Sequence, residues 1–489
     1  MVRRTSLLFM LALAGSTFAR EEFTRAFNKT VPLHAGQSVS VEHRLGDIII
    51  RTHAQPEVVL HADIHVSAED MDRAKNFANN IEIAVQPSTS GLFVRTRYPE
   101  TERSFFGNHN ISYYVRYEIT VPETAPLQVR NSFGAVSVAG IKANSDITNS
   151  HGSLEFRDAS GSQHLENSFG SVKVSNNVGD VAVQTNNGSA EVTGVKGSLT
   201  LRNRFGNVAA SSVSNGVTIS NGNGGVEVTD CGGLGDIRTS FGSVTVHGFR
   251  GDLTVNDTNG VIESTNVSGN AELNTTFGAV HFSDIGHQLS IRASNSKVEG
   301  QRVGGPLIVQ NSFGPVNVSD IRQGVEIHSG NGGVSITGIH GGANVRTSFA
   351  MVQASDVSGA LSVENNNGGV KVMNTRGAHV ITSFAPVILE GISGPLQIEN
   401  QNGAVDATSS SGSACEPITI RTSFSTLRVH LQGNPSYRVN ARTSFGKIRT
   451  DFPLSVSGSL SNDNVTGTIG GGRCEMRLTN NNGSIEIVK

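Results

Sequence analysis

Five glutamates, Glu155, Glu191, Glu227, Glu263 and Glu299, recur every 36 residues along the chain. Carboxylates in a regular row suggest general acid and base work, or cation binding. If 36 residues span two rungs of a stacked β repeat, neighbouring members lie ~9.6 Å apart. That is at or beyond the widest pair used by inverting glycosidases, roughly 6.5–9.5 Å. Lys173 and His281 interleave where a second acid would be needed. The row therefore reads as a solvated, salt-bridged stripe, with ligand or cation binding as the lesser alternative. His61, Asp63 and His65 alternate within VVLHADIHV, so all three leave one side of a strand at intervals of ~6.8 Å. His and Asp are competent metal ligands, but this spacing needs leaning side chains and a fourth donor from elsewhere. A polar solvent face is the better reading. Walker, Rossmann, nucleophile-elbow and Gly-Gly-x-Gly-x-Asp calcium repeats are absent from the sequence. No catalytic residue and no cofactor is expected.

These residues must be positioned by a repeat. Phe133, Phe169, Phe205, Phe241, Phe277, Phe313 and Phe349 follow one another at 36-residue intervals, with Phe384, Phe424 and Phe445 at looser ones. Halfway between them sit His151-Gly152, Asn187-Gly188, Asn223-Gly224 and their successors, so the structural period is 18 with two alternating kinds of unit. In FGSVKVSNNVGDVAVQTN, Val172 and Val174 alternate with polar residues, and Val181 and Val183 do so again, which is strand periodicity. A third apolar column runs through Val195, Val213, Cys231 and Phe249. No 18-residue unit can bury its own apolar face, whereas strand-over-strand stacking makes one continuous core. The expected fold is an all-β single-chain β-solenoid, a β-helix of right-handed sense. Its residues 131–400 should lack helix, and Val172, Val208, Val244 and Val280 should be buried. The polar column Asn149, Asn167, Thr185, Asn203 and Asn221 should form a ladder at the corner, its side chains bonding up and down. The Phe shares parity with the inward Val181 and Val183 columns. It is therefore expected to pack inward, with Phe205→Ala costing about 3–5 kcal/mol; an exposed aromatic ribbon is the alternative.

Residues 1–19 read as a signal peptide: Arg3 and Arg4, an apolar run from Leu7 to Ala14, then small residues. Residues 20–130 lack the 18-residue period and read as a β-rich cap. One amphipathic helix is expected near 67–80, starting at Ser67-Ala68-Glu69-Asp70 and covering the first rungs. Residues 131–401 form the regular solenoid, and 402–489 its irregular end, with SSSGSACEP as the likeliest protruding loop. Cys231 reads as a core thiol. Cys415 and Cys474 begin rungs about three apart, ~14 Å if stacking is regular, so free thiols are expected. A net charge of −3 argues against nucleic acid as a partner, and the mature chain has no apolar run of membrane-spanning length.

The strand pair TVPLHAGQSVSVEHRLGDIII, the YEITVP strand leading into the repeats, and the many copies of N-S-F-G-x-V and N-G-x-V together resemble the bacterial putative-adhesin family of domains of unknown function. The resemblance implies an exported or envelope-associated β-helix protein and supplies no catalytic residues. This chain departs from a typical member in its length and its regular double repeat. The expected protein is an exported, monomeric, non-enzymatic, adhesin-like scaffold, periplasmic, cell-surface or secreted, binding surface polysaccharide or another envelope component. Two alternatives stand beside it. A polysaccharide lyase or hydrolase would need a cleft that rungs of constant length do not build, and end-to-end pairing into a fibre is opposed by a capped N-terminus.

Overall fold

The structure is a computed structural model describing residues 20–99, 111–410 and 415–489; residues 1–19, where a signal peptide is expected, and the tip of the SSSGSACEP loop lie outside these. The chain divides into two compact units, one ending at Lys173 and one beginning at Val174. Both are β-solenoids, and the single helix among the described residues is near the N-terminus.

In the first unit, β1 (Glu21–Pro32), β4 (Glu57–Ala68) and β7 (Ser112–Pro122) form an antiparallel sheet in which β4 is central. Helix α1 (Met71–Asn80) packs on β1 and β4 through buried Ala74 and Ala78, with Ile81 buried just beyond its end. Asp70 caps it by accepting a 2.7 Å hydrogen bond from the Arg73 amide. The helix thus covers the antiparallel sheet rather than the rungs. Stacking begins earlier than the 36-residue repeat suggests. β2 (Ser38–Leu45) and β3 (Ile48–His53) already make one turn, pairing in parallel with β8 (Leu127–Phe133) and β9 (Val136–Ala139). Residue for residue, His43 meets Asn131 and Leu45 meets Phe133. HRLGD is therefore a diverged copy of NSFGA, separated from its relatives by the excursion that builds the cap.

In the second unit each turn supplies two strands, as in Val181–Asn187 and Ala190–Lys196. The first joins one parallel sheet, here called sheet 1, and the second joins sheet 2; as far as Leu361 in sheet 1 and Val370 in sheet 2, each strand pairs with the one a turn away at an offset of 18. All three apolar columns face inward; Val208, Val244 and Val280, like Val172 in the first unit, are at most 1% exposed. Sheet 2 strands bend between the second and third columns at a residue with positive φ. That position holds Ser212, Asp230, Asn266, Asp284, Arg302, Asp320, Asp356 and Asn374, or glycine at 194, 248, 338 and 391. The bend explains why inward residues there, Val192 and Val195, are three apart. The 35-residue step from Phe349 to Phe384 is absorbed in the turn before Ala378, where Leu361 pairs with Ala378 at an offset of 17 and inward parity is kept.

At the C-terminal end the rung order no longer follows the chain. Strand Cys474–Asn482 inserts between Ile418–Phe424 and Tyr437–Thr443, pairing in parallel with both, and Ile485–Val488 inserts likewise between Leu427–Leu431 and Ile448–Thr450. This overturns the expectation of free thiols at Cys415 and Cys474. Intercalation brings their Cα atoms to 5.7 Å and they form a disulfide. Cys231 is a free, buried thiol, as expected.

Candidate functional site

The corner after each sheet 1 strand determines what the surface presents. In Leu199-Thr-Leu-Arg-Asn-Arg-Phe-Gly206, the side chains of Leu199, Leu201 and Asn203 point inward, but Arg204 and Phe205 are both exposed. The chain turns immediately after the inward Asn. Gly206 completes the turn at φ +119°, where a Cβ would collide with the carbonyl oxygen of Gly188 one rung below. The buried Asn fills the inside of the corner. Asn203 Nδ2 donates to the carbonyls of Gly188 (3.2 Å) and Gly206 (3.1 Å), and Asn221 repeats the pattern with Gly206 (3.1 Å) and Gly224 (2.9 Å). The polar ladder therefore bonds to corner carbonyls of its own and the preceding rung, rather than side chain to side chain as expected.

This geometry overturns the inward packing expected of the Phe. The parity argument assumes an extended strand through the Phe, whereas the bend after Asn reverses it and the Asn occupies the space a ring would need. Phe133 and Phe169 in the first unit are 46% and 48% exposed, and in the second unit exposure runs from 42% at Phe205 to 83% at Phe445. In the first unit the Phe133, His151 and Phe169 rings form one stack, with centroids 4.6 and 4.8 Å apart and planes within 15°. The rings thus face along the solenoid axis and turn their edges to solvent.

Beside the Phe column in the second unit lies an open groove of about 1270 Å³ on the outer face of sheet 1. Its floor is the outward column Arg238, Asn256, Asn274, Arg292, Gln310, His328 and Arg346, and its rim is formed by Ser and Thr of the corner column with Phe313. The Arg and His residues of the groove floor are paired: Arg238 with Asp236 (2.9 Å), Arg292 with Glu272, His328 with Glu326 (2.9 Å) and Arg346 with Glu364 (3.3 Å). The groove is thus rich in hydrogen-bonding groups and nearly neutral.

The residues singled out by spacing lie elsewhere. Glu155 in the first unit, and Glu191, Glu227, Glu263 and Glu299 in the second, stand on the outer face of sheet 2. Glu155 lies 3.8 Å from Arg157; Glu299 lies 2.6 Å from Lys297 and 3.7 Å from His281, and its hydrogen bond to Lys297 holds its pKa below the usual carboxylate value. His61, Asp63 and His65 do share one side of β4. His61 takes Asn28 (2.7 Å) and Asp63 (3.4 Å) as partners, while His65 stacks on Tyr114 at 4.6 Å and bonds Thr24. Among the described residues no three His, Cys, Asp or Glu side chains group so as to hold a metal ion.

One buried cluster escaped the sequence reading. His43, at the ladder position of the first turn, is 4% exposed. Its Nε2 donates to the Val115 carbonyl (2.9 Å), its Nδ1 accepts from Thr96 (2.9 Å), and Tyr117 donates to Thr96 Oγ1 (2.6 Å). With the ring proton on Nε2, this chain of donors satisfies a neutral imidazole at both nitrogens. Burial lowers the His43 pKa to about 4 and raises that of Tyr117 to about 12. The only available signal was the alignment of HRLGD with NSFGA.

No protein-family model matches the chain, and no curated protein does. Among solved structures, the chain is similar to one described as a "putative cell adhesion protein" from Clostridium sporogenes. The two share 8% identity over 95% of this chain and 99% of that one, with a TM-score of 0.16, a likeness too slight to carry an argument about function.

Proposed function

We infer that this is an exported, non-enzymatic, adhesin-like scaffold that uses the Phe-edged face of sheet 1 to bind components of the cell surface or envelope. The observation that carries the reading is the row of half-exposed Phe in the second unit, one of which, Phe313, lines a polar groove. Contiguous exposed apolar surface rimmed by polar groups marks interaction sites. Export is supported by the leader-like first nineteen residues and by the Cys415–Cys474 disulfide, a bond typical of oxidising compartments. A binding role is supported over catalysis because the groove's Arg and His residues face it already paired with carboxylates.

The test is retention of the mature chain on a panel of surface glycans and envelope fractions, beside a Phe241→Ser/Phe277→Ser/Phe313→Ser variant. Binding that depends on these Phe is expected. Depolymerisation of a polysaccharide by the wild-type chain would instead establish the lyase or hydrolase reading.

A further inference from the structure

We propose that the Phe column of the second unit is a comb that interdigitates with the same comb on a second copy of this chain. The proposal rests on the reading that this edge is the binding face, and names the occupant of its aromatic part; it replaces the expectation of a monomer.

The first unit shows how wide the gap between two teeth is. Phe133 and Phe169 stand on alternate rungs, each paired in register with His151 between them. The His151 ring fills that gap with stacking distances of 4.6 and 4.8 Å. A gap of two rungs, ~9.6 Å, therefore accepts one aromatic ring in parallel stacking on both sides. In the second unit the same place is held by a short side chain. Asn223 sits between Phe205 and Phe241, and Asn295 between Phe277 and Phe313, each in register with both. Beyond each Asn, the outer parts of two Phe rings flank an unfilled slot.

Several slots can be filled at once only by a partner that presents flat groups at the same ~9.6 Å pitch. A second copy does so by construction, because its pitch is set by the same β spacing. A shift of one rung places its Phe in the slots and receives this chain's Phe in return, the self-complementary contact of a two-fold dimer. The area suffices. Six half-exposed Phe from Phe205 to Phe384 offer roughly 100 Å² each, and with the flanking Ser and Thr approach the ~800 Å² per partner of a stable interface. The groove's cations near the column are paired, and Arg204, over the Phe205 ring, is the one cation of the position preceding the Phe between Phe205 and Phe384.

The experiment is sedimentation velocity of the full mature chain from about 1 to 100 µM. It includes the triple Phe→Ser variant and a second variant, Asn223→His/Asn295→His, which fills two slots from within as His151 does. A concentration-dependent dimer is expected, with dissociation constants raised about tenfold or more in both variants. The second variant separates interdigitation from general stickiness, since it adds aromatic surface; association as tight as or tighter than wild type overturns the proposal. It also decides the matter if the Phe→Ser variant fails to fold. A wild-type chain that stays monomeric throughout overturns it as well. If envelope binding is then still lost with the Phe, the scaffold reading stands without self-pairing; if neither depends on the Phe, both fall.

Discussion

At the scale of single residues, the corner reverses the expected ranking of Phe and Asn. Asn221→Ala removes a donor from two part-buried carbonyls, Gly206, which keeps its bond from Asn203, and Gly224, and should cost about 1–2 kcal/mol locally. Phe241→Ala removes a half-exposed ring and should cost less than about 1 kcal/mol. Hydrogen exchange of the adjoining rungs measures both; a larger loss for Phe241→Ala would restore an inward role for the ring. The apolar columns were legible because period-two alternation survives along straight strands. The Phe orientation was not, since the bend lies between the last inward residue and the ring, and Asn-Ser-Phe-Gly does not announce on which side of the Phe it falls. His43 leads to a pH prediction. Its folded pKa of about 4 lies below the unfolded value of 6.5, so the unfolded state binds more protons over that interval. Stability of the first unit should be full above about pH 6.5 and fall as pH drops toward 4, by roughly 3 kcal/mol. His43→Asn, the residue of the next rungs, should flatten that slope in acid unfolding followed by Tyr fluorescence. An unchanged slope would mean that His43 is not the responsible group.

At the scale of elements, the C-terminal end was the least legible because its rung order departs from chain order. The looser Phe spacing after Asn402 signalled insertions, but nothing in the residues says that Cys474–Asn482 returns to a place between two earlier strands. The disulfide fixes that return across a sequence separation of 59. Closing such a loop limits the unfolded chain by about 4 kcal/mol on the entropy model. Cys415→Ser/Cys474→Ser should therefore lose amide protection across 474–488 and its direct partners. In a stack where each rung touches only its neighbours, the turns between Val181 and Asn400 should keep theirs. Protection lost uniformly along the second unit would show that the end and the regular rungs unfold as one. The bend column of sheet 2 teaches a related point. Asn, Asp and Gly recur there because they tolerate left-handed backbone, a signal present at 18-residue intervals but masked by other choices such as Ser212 and Arg302.

At the scale of the molecule, a β-solenoid whose rungs contact only their neighbours should tolerate removal of whole turns, and the alternation of Phe with Asn gives that tolerance a second reading. Deleting residues 206–241 joins Phe205 to Gly242, so the next rungs carry Asn259 and Phe277 and the comb persists with one tooth fewer. Deleting residues 206–223 also preserves the inward columns, because the register offset is 18. It places Phe205 directly beneath Phe241, however, closing one slot and shifting all later teeth by a rung. Both deletions should fold, with far-UV dichroism per residue unchanged and cooperative melting retained. Only the 18-residue deletion should weaken self-association, by about tenfold, because two combs out of phase at one point cannot interdigitate along their whole length. If neither deletion folds, the rungs are not energetically modular. If both fold and associate equally, the two-rung alternation has no part in pairing, and the 36-residue period reflects the packing of Phe over Asn within one chain alone.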